Sequence, residues 1–244
     1  MVVEKEFYKR LKLFWWVFLA GTIYSVLESI CIQIATKAQK DNAEKGIEPS
    51  DFKVKFVRFL AEHGKILIYI AIAFLLARFL TMLLLRKYSK ELLLAAVIGL
   101  FATALNFINT AFYWNAPYNT TTEIFTLILL LAVLGWRVIY ALGMRNMVKP
   151  FSEDTAKLWK VFFCCVIIEF AMRLINAVMT VLVYNRPESF KTIGNIYGLI
   201  YSIFGYALFL YEILCIVVTV LMFRKKLKQQ ETAAAAALAG ETAE

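Results

Sequence analysis

Apolar residues run along this chain in six long stretches, at 11–34, 66–85, 92–113, 124–142, 159–184 and 197–223. Each is close to or above the roughly 20 residues that cross a hydrocarbon core as helix. The stretches are continuous rather than alternating, which excludes a closed β-barrel, and backbone polar groups in lipid leave helix as the other solution. The pattern predicts an all-α, polytopic membrane bundle of six transmembrane helices over residues 1–228. A low-complexity, Ala-rich, helix-permissive tail, "ETAAAAALAGETAE", closes the chain within 229–244. Between the first two stretches, "PSDFKVKFVRFLAEHGK" starts with the cap candidate Ser50 and repeats Phe52, Phe56, Phe59 and Leu60 at helical spacing. Periodicity alone leaves two readings of it: an interfacial amphipathic helix with Lys53, Lys55 and Arg58 toward headgroups, or a helical extension of the second span.

Composition agrees with a membrane class, since 61% of the residues are hydrophobic and the mean hydropathy is +0.67. The net charge of +9 could suggest nucleic acid as a partner. The basic residues, however, cluster at the ends of the apolar stretches, as topology determinants do, and nucleic acid is discounted. Counted outside the spans, with Lys12 and Lys160 at the starts of the first and fifth included, fifteen Lys and Arg fall on the side of the N-terminal arm, the second and fourth connections and the tail, and nine on the other. The positive-inside rule then puts both termini in the cytoplasm. The 35–65 connection dissents, because its seven basic residues lie outside in this topology. The basic start "MVVEKEFYKRLKLFWW" leads into an apolar run too long for a signal peptide and without a small-x-small cleavage site, so it is expected to be a retained first span. Cys31, Cys164, Cys165 and Cys215 all lie in apolar runs without C-x-x-C spacing and read as small core hydrophobes.

Three approaches to a span look alike: "EFYKRLKLFWWVF", "RKYSKELLLAAVI" and "VKPFSEDTAKLWKVF". Phe7 precedes Trp15 by eight residues, Phe151 precedes Trp159 by eight, and the middle copy offers Tyr88 without a Trp. Arg78 and Arg86 match Arg137 and Arg145 in spacing, which suggests three tandem helical hairpins. In the third copy Pro150 breaks the chain, Ser152 can cap, and Glu153 and Asp154 sit at the positive end of the helix dipole. The string "KPFSEDTAKL" resembles the K-P-F-[ST]-x-x-x-x-x-L approach to a span in small multi-pass bacterial membrane proteins of uncharacterised function. The resemblance covers ten residues, carried by Lys149, Pro150, Phe151, Ser152 and Leu158. It implies a bacterial plasma membrane location and assigns no chemical role; those proteins have fewer than six spans.

The candidate chemistry is a set of charges inside the spans. The string "EFAMRLIN" puts Glu169 and Arg173 one turn apart near the midplane of the fifth span, with Asn176 a further turn on. Arg78, Arg137 and Glu212 fall near the centre or inner half of the second, fourth and sixth spans, and Glu28 lies nearer the outer face of the first. Translocon scales charge about 2.5–3.5 kcal/mol for each central Arg or Asp, so compensation is required. Glu169 and Arg173 can pair at i,i+4, leaving partners on other helices for the rest. Two readings compete. Arg78, Arg137, Glu169, Arg173, Asn176 and Glu212 line the site of a transporter or channel-like protein for a small charged, anionic solute, the default for intramembrane ionisable groups. Alternatively these groups, with Asn106 and Asn109, are interhelical glue in a non-catalytic subunit or regulatory protein that docks a partner.

Other chemistry is scarce. His63 is the one histidine, which leaves no H-E-x-x-H zinc site, haem pair or His-based triad, and no G-x-x-x-x-G-K-[ST] occurs. A lipid-directed enzyme with Glu169 as general acid or base lacks a nucleophile beside it. No cofactor or metal is expected. The expected partners are membrane lipids, a small solute and a protein partner or second copy of the chain. The "NTT" at Asn119 fits the glycosylation pattern by chance, and Trp15, Trp16, Tyr113, Trp114, Trp159 and Tyr184 read as an interfacial aromatic belt. The basic-residue count predicts that, in a cysteine-free background on intact cells, an impermeant maleimide labels a cysteine placed at Asn119 and spares one placed in the tail. Labelling of the tail would overturn the topology.

Overall fold

None of the four prolines, Pro49, Pro117, Pro150 and Pro187, lies within a described helix, so among the described residues no helix interior lacks a backbone donor for that reason. The computed structural model describes the backbone of residues 3–45, 52–112, 120–183 and 188–241. It describes their side chains except at 29, 32–45, 52–65, 109–110, 112, 120–127, 130, 176–183, 188–195 and 238–241. Among the described residues the chain forms six α-helices and no strand: α1 (Lys5–Lys45), α2 (Phe52–Leu83), α3 (Lys90–Phe112), α4 (Thr120–Val148), α5 (Glu153–Val183) and α6 (Glu188–Glu241). Helices α1, α2, α3 and α6 are long and apolar enough to cross a membrane over their described residues.

The six predicted stretches fall one to a helix, and every helix starts before its stretch does. Helix α2 starts at Phe52 without interruption, the outcome expected of a helical extension of the second span. Helix α6 continues through the Ala-rich string to Glu241. At its other end α2 stops two residues before the predicted run does. Leu84 and Leu85 donate to the carbonyls of Thr81 and Met82, a tightened last turn, and Arg10 Nη1 donates to the Leu84 carbonyl at 3.4 Å. Ser152 caps α5 as expected, its Oγ accepting from Thr155 N at 3.2 Å. Ser89 stands in the same place before α3, accepting from Leu92 N at 3.4 Å.

Each helix packs against its sequence neighbours, and α1 closes the arrangement against α6. The start of the described chain meets α6 near residues 230 and 231, at the end of the bundle that holds the α2–α3 and α4–α5 turns. Val3 N donates to Gln230 Oε1 at 3.2 Å, and Lys5 pairs with Glu231 at 2.9 Å. Glu4 receives bonds from Lys87 Nζ and the Tyr88 hydroxyl, which together hold its carboxyl below the usual range. Burial, with Glu4 beside it, pushes the Tyr88 phenol up to about 12. The aromatic residues at matched positions of the three approaches converge on this end. Phe7 lies 4.1 Å from Tyr88 and 4.9 Å from Phe223, and Phe151 lies 4.9 Å from Phe223. The residues just before Arg86, Arg145 and Arg224, namely Leu85, Met144 and Phe223, are all fully buried. The hairpins thus share one packing register.

Lipid-facing and interior surfaces are equally apolar, so close packing rather than burial from water selects neighbours. Helix α1 buries Phe7, Leu11, Phe14 and Phe18 along one stripe while Leu13, Trp16 and Ile23 face outward. Helix α3 approaches its neighbours through glycine. A Cβ at Gly99 would stand 2.1 Å from the buried Phe79 ring of α2, and one at Gly143 of α4 would stand 2.9 Å from the Leu92 backbone nitrogen of α3. Nothing lies within 4 Å of a Cβ built on Gly135. Gly143→Ala should therefore destabilise the protein by about 1–3 kcal/mol through overpacking. Gly135→Ala should be neutral or stabilising by up to about 1 kcal/mol, in line with helix propensity. Unfolding in detergent checks the pair, and equal effects would refute the close α3–α4 approach.

Candidate functional site

Five of the six candidate site residues form one chain of ion pairs across four helices. Arg78 of α2 donates from Nη2 to Glu212 Oε1 of α6 at 2.6 Å. Glu212 Oε2 lies 3.6 Å from Nη2 of Arg137 on α4. Arg137 Nη1 donates to Glu169 Oε2 of α5, whose Oε1 accepts from Arg173 Nη2 at 2.9 Å and from Arg173 Nε at 3.3 Å. The order is Arg78, Glu212, Arg137, Glu169, Arg173, with positive and negative groups alternating and a positive group at each end.

Burial follows that order of charge. Glu169 and Glu212 are 2% and 3% exposed, whereas the end residue Arg173 keeps 30% of its side chain exposed. The expected Glu169–Arg173 pair is present at i,i+4, but Arg137 takes the other carboxylate oxygen. Three guanidinium groups share two carboxylates, so the cluster holds a formal excess of one positive charge. The sixth candidate, Asn176, has its side chain outside the described residues, as do Asn109, Asn119 and His63. Glu28 joins no ion pair among the described residues.

Aromatic rings complete the setting of Arg78. Its guanidinium carbon stands 4.4 Å from the Phe18 ring centre, 4.9 Å from that of Trp136 and 5.3 Å from that of Tyr140. Ring faces attract a desolvated cation and offset part of its lost hydration. Arg173 likewise stands 5.8 Å from the Tyr201 ring centre of α6. Among the described residues Arg78 Nε and the Tyr140 hydroxyl are buried without a well-aligned hydrogen-bond partner. A cavity of about 110 Å³ adjoins Arg78, with Thr22 and Ser25 of α1 and Phe209 of α6 in its wall. Among the described residues no three His, Cys, Asp or Glu side chains gather as a metal site.

Sequence reasoning missed the layer beneath. Trp159, expected in the interfacial belt, is 0% exposed and donates from Nε1 to Thr219 Oγ1 at 2.9 Å. It stacks edge-on against Tyr140 and Phe162 in the bundle interior, where a buried indole N–H needs such an acceptor. Trp16, 56% exposed, does face outward as a belt residue would. The cysteines also divide: Cys215 is in the core and Cys164 is exposed on the outer face, where a small apolar side chain suits lipid equally well. The matched Phe7 and Phe151 spacing does not find Trp159 either, since it equates that residue with Trp15, which is half-buried.

The alternation of charge makes the cluster unequal in its response to mutation. Glu169→Gln leaves three guanidinium groups with one carboxylate and should lower stability by about 3–5 kcal/mol. Arg173→Gln brings the cluster to neutrality and removes a partly exposed pair, so it should cost less than about 1 kcal/mol. Chemical unfolding in detergent distinguishes them, and comparable losses would show that Arg137 and Glu169 are not coupled.

No family model, curated protein or solved structure matches this chain, so the resemblance of "KPFSEDTAKL" rests on its ten residues alone.

Proposed function

We propose that this membrane protein is a transporter or channel-like protein for a small anionic solute, with the Arg78, Arg137, Glu169, Arg173 and Glu212 cluster as its site. We place both termini in the cytoplasm on the strength of the basic-residue count, and the protein in a plasma membrane on the resemblance carried by "KPFSEDTAKL". The observation that carries the reading is the cluster's formal excess of one positive charge, three guanidinium groups to two carboxylates, with Arg78 Nε lacking a partner among the described residues beside a cavity. A desolvated cation in excess calls for a compensating anion or water. At about 110 Å³ the cavity suits a few waters or a small inorganic or carboxylate anion rather than a sugar or nucleotide. Arg78 Nε, with the Thr22 and Ser25 hydroxyls in the cavity wall, would hold it. Anion movement would then draw on exchange of carboxylate for solute at the guanidinium groups.

A second reading has its own support. Each of the three arginines already touches a carboxylate, and the cluster ties four helices, as expected of a non-catalytic subunit or regulatory protein whose charges only set helix packing. A thermal-shift series on purified protein with chloride, nitrate, formate and bicarbonate against gluconate separates the two. The expected result is a rise of a few degrees with at least one small anion near 100 times its Kd, about 2.7 kcal/mol of linkage. Arg78→Gln should abolish the rise while leaving a cooperative unfolding transition. No shift with any anion, together with simple loss of folding in Arg78→Gln, would hand the assignment to the second reading.

A further inference from the structure

The contact between α1 and α6 is the least extensive of those between neighbouring helices. At the bundle end that carries the chain termini it opens into a groove of about 470 Å³. Lys12, Trp15 and Trp16 form one wall from α1, and Leu221, Arg224 and Lys228 form the other from α6. The spacing explains the alignment: 12 and 16 lie one turn apart, and 221, 224 and 228 follow at three and four residues. The cationic groups therefore sit together toward the chain ends, and the apolar groups sit deeper along the helices.

Charge in the groove is unmatched. The one acidic residue in its wall, Glu231, is already paired with Lys5 at 2.9 Å. Among the described residues Lys12, Arg224 and Lys228 have no carboxylate within ion-pair distance. Below them, Trp16 and Leu221 present exposed apolar surface, 56% and 54% accessible. Cations above an apolar, outward-open seam match the two ends of an anionic phospholipid and would give a free phosphate nothing to do with the lower wall.

We propose that the α1–α6 groove binds one anionic glycerophospholipid, its headgroup phosphate held by Lys12, Arg224 and Lys228 and its acyl chains laid over Trp16 and Leu221. The bound lipid fills the loosest seam of the bundle and joins the first helix to the last. This site stands apart from the charge cluster and does not depend on solute transport.

Native mass spectrometry of the full chain with equal amounts of phosphatidylglycerol and phosphatidylcholine tests it. Wild-type protein should retain phosphatidylglycerol in preference by about tenfold or more. The Lys12→Gln/Arg224→Gln/Lys228→Gln variant should fall to parity. A control removing the same charge at the same end, Lys90→Gln/Lys149→Gln/Lys160→Gln, should keep the preference. Equal retention of the two lipids by wild type, equal loss in both variants, or displacement of phosphatidylglycerol by millimolar inorganic phosphate would each overturn the site. A measurement on otherwise unaltered protein covers any folding defect of the triple variant. Acyl-brominated phosphatidylglycerol should quench tryptophan fluorescence more than its phosphatidylcholine counterpart, and Trp15→Phe/Trp16→Phe should remove the difference; quenching without headgroup preference counts against the proposal.

Discussion

Two buried carboxylates, Glu169 and Glu212, organise this protein. Neither can remain ionised in an apolar interior without a partner, and each is shared between two guanidinium groups. Sharing is a stronger constraint than pairing. A single bridge fixes one side chain against another, whereas an alternating run of five charges fixes the rotation and height of α2, α4, α5 and α6 together. Sliding one helix by a turn, 5.4 Å, would separate a pair and expose both charges to lipid. Helix α1 contributes no charge to the run but supplies the Phe18 ring beneath Arg78. Helix α3 contributes none either and is held instead by backbone approach at Gly99 and Gly143.

The same constraint explains how much of the protein could be read from sequence. Helix number and helical class were legible because continuous apolar length is a one-dimensional signal. The Glu169–Arg173 contact was legible because i,i+4 pairing is local to one helix. The Arg78–Glu212 and Arg137–Glu169 contacts were not, since they depend on which way each helix faces. In a soluble protein periodicity would supply that direction. Here Leu80, Phe101 and Leu210 face outward while Phe14, Phe79 and Phe162 face inward, and no polarity difference separates the two sets. Trp159 was misplaced for this reason: a tryptophan near the end of an apolar run fits an interfacial belt and a buried layer equally well by composition. The Ser152 cap, by contrast, needed only the local order of Pro, Ser and acidic residues.

The three-hairpin pattern meets its limit at the charge cluster, and the limit is electrostatic. Aligning Arg86, Arg145 and Arg224 across the three second arms places Arg78, Arg137 and Ile216 at one equivalent position. A faithful third copy would bring a third guanidinium from α6 to the place where α2, α4 and α6 face one another, with like charges meeting in a low-dielectric interior. The third arm instead carries buried Ile216 there and Glu212 one turn earlier, where a carboxylate reaches both Arg78 and Arg137. Repetition can be kept at the aromatic end, because Phe7 packs on Tyr88, and Phe7 and Phe151 both pack on Phe223, without any sum of charges to satisfy. At the charged layer it must be broken, because alternation of sign cannot be shared equally among three identical units. The weakness of the sequence repeat is thus what a working charge layer demands: the copies agree where packing governs and diverge where the sum of charges governs.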